Sequence, residues 1–483
     1  MPTCLSPTCR WIPWALPLLV SCSVESEGPP RRTALPPTPR PDSGLLGPDA
    51  GPDGRPNPTF AIECTHRRGD VYSSLVEPFD PTQRGEIVRC ATDEPFSREN
   101  LANRIGPLAF DLEVTSGATQ FVVSYRTDRV AGEPGVGIAR VFVPDSPRSR
   151  PRPIVVVAHG TTGLADRCAP SALPVVDDSA HLALPWVGAG FITVMPDYAG
   201  LGNAGVHGYG NNEDTAHSIL DAARAARFAL TPGSYDDTVI LAGHSQGGGG
   251  VLAAQAIARS YSPELQVRAV ISIAGVLIDR SLLQAARFPD APIEEASGLG
   301  RAILSLSLYA DAANSLGLDR ADAPFHPDLR DHVTNAVETL CLAELATELA
   351  RARGDYVPPL TLGALLDPDF RTDVVRCAAN QAPCEFGAYV DRVESNRVTP
   401  DPSGAPVLFL SGDDDYLQAP QRQKCLIDQF APVETSSCLH PARDHATIVP
   451  AGAAYAIEWA VSRIEGEAAP TCTSTLSYPE CGL

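Results

Sequence analysis

The sequence is almost devoid of lysine: of its 37 basic residues only Lys424 is a lysine, and every other is an arginine. A P-loop needs a lysine on its phosphates, a pyridoxal enzyme needs a Schiff-base lysine, and a Ser-Lys dyad needs a lysine base. Lys424, between Gln423 and Cys425 with no glycine-rich loop nearby, suits none of these. A basic stripe is also missing. The 58 acidic residues leave a net charge of -21, and nucleic-acid binding, which requires neutralised phosphates, is excluded as a partner class. No zinc-spaced CxxC pair and no HExxH, EF-hand or GxGxxG nucleotide-binding signature is read in the chain, so neither a metal nor a cofactor is expected. Electrostatics point to a soluble protein with neutral substrates.

Cysteine, by contrast, is plentiful. Thirteen cysteines, scattered without zinc-ligand spacing, read as disulfides of an extracytoplasmic protein. The apolar stretch from Trp11 to Val20, preceded by Arg10, is too short to span a bilayer but fits the core of a secretory signal. It ends in Leu19-Val20-Ser21-Cys22, which resembles a bacterial lipobox and would allow membrane anchoring through a lipid on Cys22; the alternative is a plain secretory signal. Setting aside Cys4, Cys9 and Cys22 leaves an even set. Sequence proximity suggests Cys64 with Cys90, Cys377 with Cys384, Cys425 with Cys438 and Cys472 with Cys481, leaving Cys168 for Cys341.

The chain divides by composition. Residues 1–22 form the signal segment. Residues 23–58 are dense in proline and glycine, cannot offset their ordering entropy, and read as a linker. Beyond them, Phe121–Tyr125 and Ile138–Val143 suggest an antiparallel hairpin turning between Gly132 and Gly137. Short continuous apolar runs follow at 153–158, 191–195, 239–242, 267–273 and 406–410, the pattern of parallel strands buried on both faces. Helical patterns at 215–230 and 248–261 alternate with them. The fold class expected is α/β, a mostly parallel sheet flanked by helices. Its core would comprise 59–276 and 405–483, interrupted at 277–404 by a helical lid or cap with helices at 277–287, 299–315 and 331–353.

The chemistry concentrates in Gly243-His244-Ser245-Gln246-Gly247, a G-x-S-x-G motif lying between a strand and a helix of small residues. That context lets a strained turn project the Ser245 hydroxyl as a nucleophile. A serine needs a base, and the base needs an acid to orient it. Only His440 and His445 follow the strand at 406–410, and His445, in a loop before a helical segment, is the preferred base. The acid lies among Asp413, Asp414 and Asp415, with Asp415, three residues after Gly412, preferred and Asp414 next. The oxyanion hole would draw backbone N–H groups from Gln246 and from Thr161 in His159-Gly160-Thr161-Thr162-Gly163. His159 itself reads as structural rather than as a metal ligand.

These residues resemble the secretory lipase family of α/β-hydrolases. The resemblance rests on His159-Gly160-Thr161, Cys168-Ala169-Pro170-Ser171, Pro196-Asp197-Tyr198 with Gly200-Leu201-Gly202, the GHSQGG elbow and Ser260 to Leu265. It covers residues 110–275 well and the Asp415 and His445 regions more loosely. It implies the α/β-hydrolase fold with a helical lid, and hydrolysis of a small-molecule or lipid carboxylic ester through a Ser245, Asp415 and His445 triad. Two departures stand out: the long glycine run 247–250, and the acid segment Asp415 to Pro420, one residue longer than the family's Asp-x-x-Val-Pro. The alternatives are a peptidase or acyltransferase of the same fold, or a non-catalytic surface lipoprotein. The mostly apolar stretch Leu299 to Tyr309 suggests either a lipid-facing wall or a buried packing helix.

Overall fold

The computed structural model describes residues 60–106, 112–146, 151–175, 178–277, 290, 292–293 and 298–482. The signal segment, the linker and the helix expected at 277–287 lie outside the described residues, apart from Leu277 itself.

Among the described residues nine strands form one sheet in the order β1-β2-β3-β5-β4-β6-β7-β8-β9. They are β1 (Ile87–Phe96), β2 (Ala118–Asp128), β3 (Pro134–Pro144), β4 (Arg152–Ala158), β5 (Ile192–Pro196), β6 (Tyr235–His244), β7 (Gln266–Ile273), β8 (Val407–Gly412) and β9 (Thr435–His440). From β5 through β9 all neighbours are parallel. β1, β2 and β3 are joined antiparallel, and β3 meets β5 antiparallel. The expected hairpin is β2–β3, but its turn comes earlier, at Arg129 to Glu133, where Ala131 and Gly132 take φ of 59° and 74°. β3 therefore begins at Pro134.

The apolar runs predicted as strands lie in a sheet covered on both faces. Helices Asn212–Ala229, Gln246–Tyr261 and Pro420–Gln429 pack one face, centred on Val156, Leu241 and Phe409. Helices Arg98–Ile105, Asp178–Gly188 and Ile448–Glu465 pack the other, on Val157, Ile271 and Leu410. Alternating inward residues of one strand thus serve two different cores, as the period of two requires.

Between β7 and β8 the described chain forms helices Leu299–Leu316, Arg330–Thr339, Leu342–Leu349, Pro368–Ala378 and Gly387–Ser395. They share a third core around Leu306, Phe325, Val337 and Phe370, which also takes in Leu164 and Tyr209 from the sheet side. The single helix expected at 331–353 is two. It breaks at Leu340–Cys341, because Cys341 leaves helical geometry to cap the second helix, bridges to Gly163 and is disulfide-bonded to Cys168. Among the described residues no helix is long and apolar enough to cross a membrane.

Three disulfides follow the sequence expectation: Cys64–Cys90, Cys168–Cys341 and Cys377–Cys384. Two do not. Cys425 pairs with Cys481 and Cys438 with Cys472. The C-terminal segment after helix Ile448–Glu465 returns along the sheet edge, where Tyr478 donates to the Cys438 carbonyl (3.2 Å). Spatial return, not sequence proximity, sets these partners.

Candidate active site

β4 is the point where the strand order reverses, with β5 on one side and β6 on the other. In open α/β sheets the crevice beyond the carboxyl ends of the strands at such a reversal is where ligands bind. The loops leaving β4 and β6 at that edge carry His159 to Gly163 and Ser245.

Ser245 joins β6 to helix Gln246–Tyr261 with φ 54° and ψ -115°, a conformation that L-residues rarely adopt. Its backbone is held from three sides: its N–H donates to Ile273 O (2.9 Å), and its carbonyl accepts from Val276 and Gly249 (both 3.1 Å). The glycine run around it has a steric cause. A Cβ on Gly243 would lie 2.2 Å from Gly247 O, on Gly247 2.0 Å from Ala158 O, on Gly248 2.6 Å from Gly275 Cα, and on Gly249 1.6 Å from Val276 O. On Gly250 it would meet Thr215 Cγ2 at 2.5 Å. The long run that departs from the family pattern is thus the surface by which the elbow helix presses against the neighbouring loops and the helix Asn212–Ala229.

Of the three adjacent aspartates, Asp415 is the one that meets His445: its Oδ2 accepts from Nδ1 at 2.8 Å. Its other oxygen accepts from Leu417 N (2.9 Å) and Gln418 N (2.8 Å), and the residue is 2% exposed. Asp413 instead accepts from Ala442 N (2.6 Å), and Asp414 N donates to Arg443 O (3.0 Å). His440 closes β9, its carbonyl accepting from Asp413 N (3.0 Å), and burial lowers its pKa. His445 is further fixed by His244, whose Nε2 donates to the His445 carbonyl (2.8 Å). Burial, with the neighbouring His445 second, lowers the His244 pKa to about 3, so this donor stays neutral.

Thr161 and Gln246 both border the same cavity as Ser245 and His445, a space of about 350 Å3. Gln246 opens its helix, where the first N–H groups have no carbonyl one turn back. Gly160 brings the Thr161 loop against the elbow: a Cβ there would stand 3.2 Å from His244 Nδ1 and 3.4 Å from Ser245 Cβ. The far wall comes from helix Leu299–Leu316, through Gly300, Ile303, Leu304 and Ser307. Its opposite side, with Ala302, Leu306 and Tyr309, is buried among the other helices. One side of this helix thus lines the cavity and the other is packed in the core, as the packing reading of Leu299 to Tyr309 expects.

His159 is buried and donates from Nδ1 to Gly160 O (2.6 Å), and burial lowers its pKa to about 4. Asp197 anchors the neighbouring loop: it accepts from Ser171 N (2.9 Å) and from the Ser171 hydroxyl. The run Gly200 to Gly205 has the G-x-G-x-x-G spacing of a dinucleotide-binding turn. Its three glycines take φ of 79°, 80° and 100° in an irregular loop, and the next helix starts only at Asn212, too late to present its N-terminus to a pyrophosphate. Among the described residues one group has metal-ligand proximity, Asp373, Cys377 and Cys384. Its two cysteines are joined in a disulfide, so neither offers a thiolate.

Sequence reasoning missed His207 and Tyr209. They lie between β5 and helix Asn212–Ala229 and carry no motif spacing. Gln246 Nε2 donates to His207 Nε2 (2.8 Å), and the Tyr209 hydroxyl lies 2.9 Å from Thr161 Oγ1.

Comparison with known proteins adds to this geometry. A family model described as secretory lipase matches residues 176–280. Secreted triacylglycerol lipase LIP4 of Malassezia globosa is 34% identical over 154 residues, which is 30% of this chain and 32% of that one. Lipase A of Moesziomyces aphidis is 30% identical over 218 residues, 43% of this chain and 44% of that one. The chain thus matches less than half the length of either relative. Among solved structures, a putative hydrolase of Legionella pneumophila superposes with a TM-score of 0.61 at 20% identity, over 79% of this chain and 99% of that one. Candida antarctica lipase A in its closed state gives 0.57 at 17% identity, over 83% and 86%. The chain has the α/β-hydrolase fold, and its residues 176–280 match the secretory lipase family model.

Proposed function

We propose that this protein is an extracellular serine hydrolase that cleaves carboxylic esters of lipid or acyl character. The observation that carries the reading is the cavity at the β4 reversal, where Ser245 on its positive-φ elbow and His445 share one wall-to-wall space and His445 is held 2.8 Å from the buried Asp415. The match of residues 176–280 to the secretory lipase family model and the five disulfides among the described residues support secretion. Cys22 would add a lipid anchor if the segment before it is cleaved as a lipoprotein signal.

In this mechanism Asp415 holds the His445 ring with Nδ1 protonated, so that Nε2 is free to accept the Ser245 proton. Ser245 Oγ attacks the ester carbonyl, and the oxygen that gains the charge is met by the N–H groups of Thr161 and Gln246. Collapse breaks the bond to the alcohol, which leaves with the proton from His445. Water then repeats the sequence on the acyl-enzyme and releases the acid. The alcohol or acyl portion would lie along Val276, Ile303 and Leu304. A space of about 350 Å3 is at the small end for ligand sites, which favours short to medium acyl chains. The helices between β7 and β8 would act as a cap over this space.

Hydrolysis of p-nitrophenyl esters of increasing acyl length by the oxidised protein and its Ser245→Ala variant tests the reading. Turnover with an optimum at short to medium chains, lost in the variant, is expected. Absence of turnover at every length would favour the peptidase or acyltransferase alternative.

A further inference from the structure

Four buried rings stand in series behind the cavity. His159 packs on Tyr198 with centroids 4.4 Å apart, Tyr198 stacks on His207 at 5.4 Å, and His207 meets Tyr209 edge-on at 6.1 Å. The Tyr198 hydroxyl donates to the His159 carbonyl (2.7 Å), tying the stack to the loop that carries Thr161. The last two rings reach forward to different partners. Tyr209 touches the Thr161 hydroxyl, and His207 accepts from the Gln246 side chain. One short segment therefore grips both residues whose backbone N–H groups would meet the oxyanion.

We propose that His207 and Tyr209 are positioning residues that hold the two oxyanion donors, Gln246 and Thr161, in place through their side chains. The proposal rests on the oxyanion assignment above.

The chemistry of each contact fits a fixed strut rather than a reacting group. A Gln246 amide nitrogen donating to His207 Nε2 requires a neutral ring. Burial keeps it so, lowering its pKa to about 3. Anchoring the carboxamide to His207 also keeps it from swinging across the space that the tetrahedral intermediate would occupy. Tyr209 is held protonated by burial, its pKa raised to about 12, so it can always share a hydrogen bond with Thr161. Its ring is rooted in the core of the helices between β7 and β8. Oxyanion donors act through preorganisation, and small displacements weaken them steeply.

The test uses the full oxidised protein and two readouts, ester hydrolysis and the rate at which a fluorophosphonate labels Ser245. The variants are Tyr209→Phe, which keeps the ring, His207→Phe, which keeps the stack but loses the acceptor, and His207→Gln, whose Oε1 can restore an acceptor. The first two are expected to lower kcat and labelling about ten- to thirtyfold, with KM within about twofold and melting temperature close to wild type. His207→Gln should recover most of the loss. Adding Thr161→Val to Tyr209→Phe should bring little further loss, because the two substitutions remove one contact. Unchanged kcat and labelling in both phenylalanine variants, a change confined to KM, or strict additivity with Thr161→Val would overturn the proposal while leaving the nucleophile assignment intact. Failure of the wild type to be labelled at Ser245 would instead overturn the catalytic reading on which it rests.

Discussion

Asp415 places one carboxylate oxygen 2.8 Å from His445 Nδ1 and gives the other to the N–H groups of Leu417 and Gln418, so a single side chain both orients the ring and is itself clamped by its own turn. The extra residue between Asp415 and Pro420 is part of that turn. Asp415 keeps its contact with His445 at this segment length.

Asp415→Asn should therefore lower kcat by about 10^3 to 10^4, because the amide cannot hold His445 in the tautomer that leaves Nε2 free to accept. Asp413→Asn and Asp414→Asn should stay within a few fold of wild type. Steady-state kinetics on the three variants check this, and an equal loss in all three would contradict the pairing.

The glycine run yields a steric prediction. Gly249→Ala would set a methyl carbon 1.6 Å from Val276 O, and Val276 N is one of the bonds that hold the Ser245 carbonyl. Overpacking of this kind costs roughly 1–3 kcal/mol or more. The variant is expected to melt several degrees lower and to lose most activity, as thermal denaturation and ester assays would show.

The sequence announced the middle of this molecule and not its edges. β4 and β6 to β8 were legible because a strand buried on both faces must be continuously apolar, and Ser245 because its elbow requires glycines on either side. β1 (Ile87–Phe96) and β9 (Thr435–His440) were not, since they carry charged or hydroxyl residues where one face is exposed or the strand lies at the sheet edge. The partners of Cys425 and Cys438 depend on where a returning tail lies, which no local pattern reports. His207 and Tyr209 were silent for the same reason: their partners are 39 and 48 residues away in the chain.

The Cys168–Cys341 disulfide joins the loop after β4 to the helices between β7 and β8 across 173 residues of chain, beside a hydrogen bond from Leu342 N to Thr162 O (2.8 Å). In the chain-entropy view a loop of that length contributes roughly 5 kcal/mol. The Cys168→Ala/Cys341→Ala variant should melt well below wild type. It should also lose kcat at temperatures where it remains folded, because the Thr161 loop is no longer tied. Loss of stability with undiminished kcat would show that the tie serves folding alone.

Asp197 offers a test by pH. Burial, opposed by its bonds to Ser171 and by Arg140 and Arg68, raises its pKa to about 7. The folded state therefore keeps the proton more tightly than the unfolded chain does. This contribution to stability is full below the unfolded value near 4 and is lost as pH rises through 7. Asn cannot ionise, so the stability of Asp197→Asn relative to wild type should rise by up to about 1.4 kcal/mol per pH unit between pH 4 and 7 and level off above it. Urea denaturation across that range measures it, and a difference independent of pH would contradict the assignment.

If Ser245 is the nucleophile, it attacks the ester and carries its acyl group. Rapid acid quench of the oxidised protein with a p-nitrophenyl ester, followed by peptide mass spectrometry, tests it most directly. A burst of nitrophenol and an acyl adduct on the peptide bearing Ser245, absent in Ser245→Ala, are expected. Turnover with no adduct at Ser245, or an adduct on another residue, would contradict it.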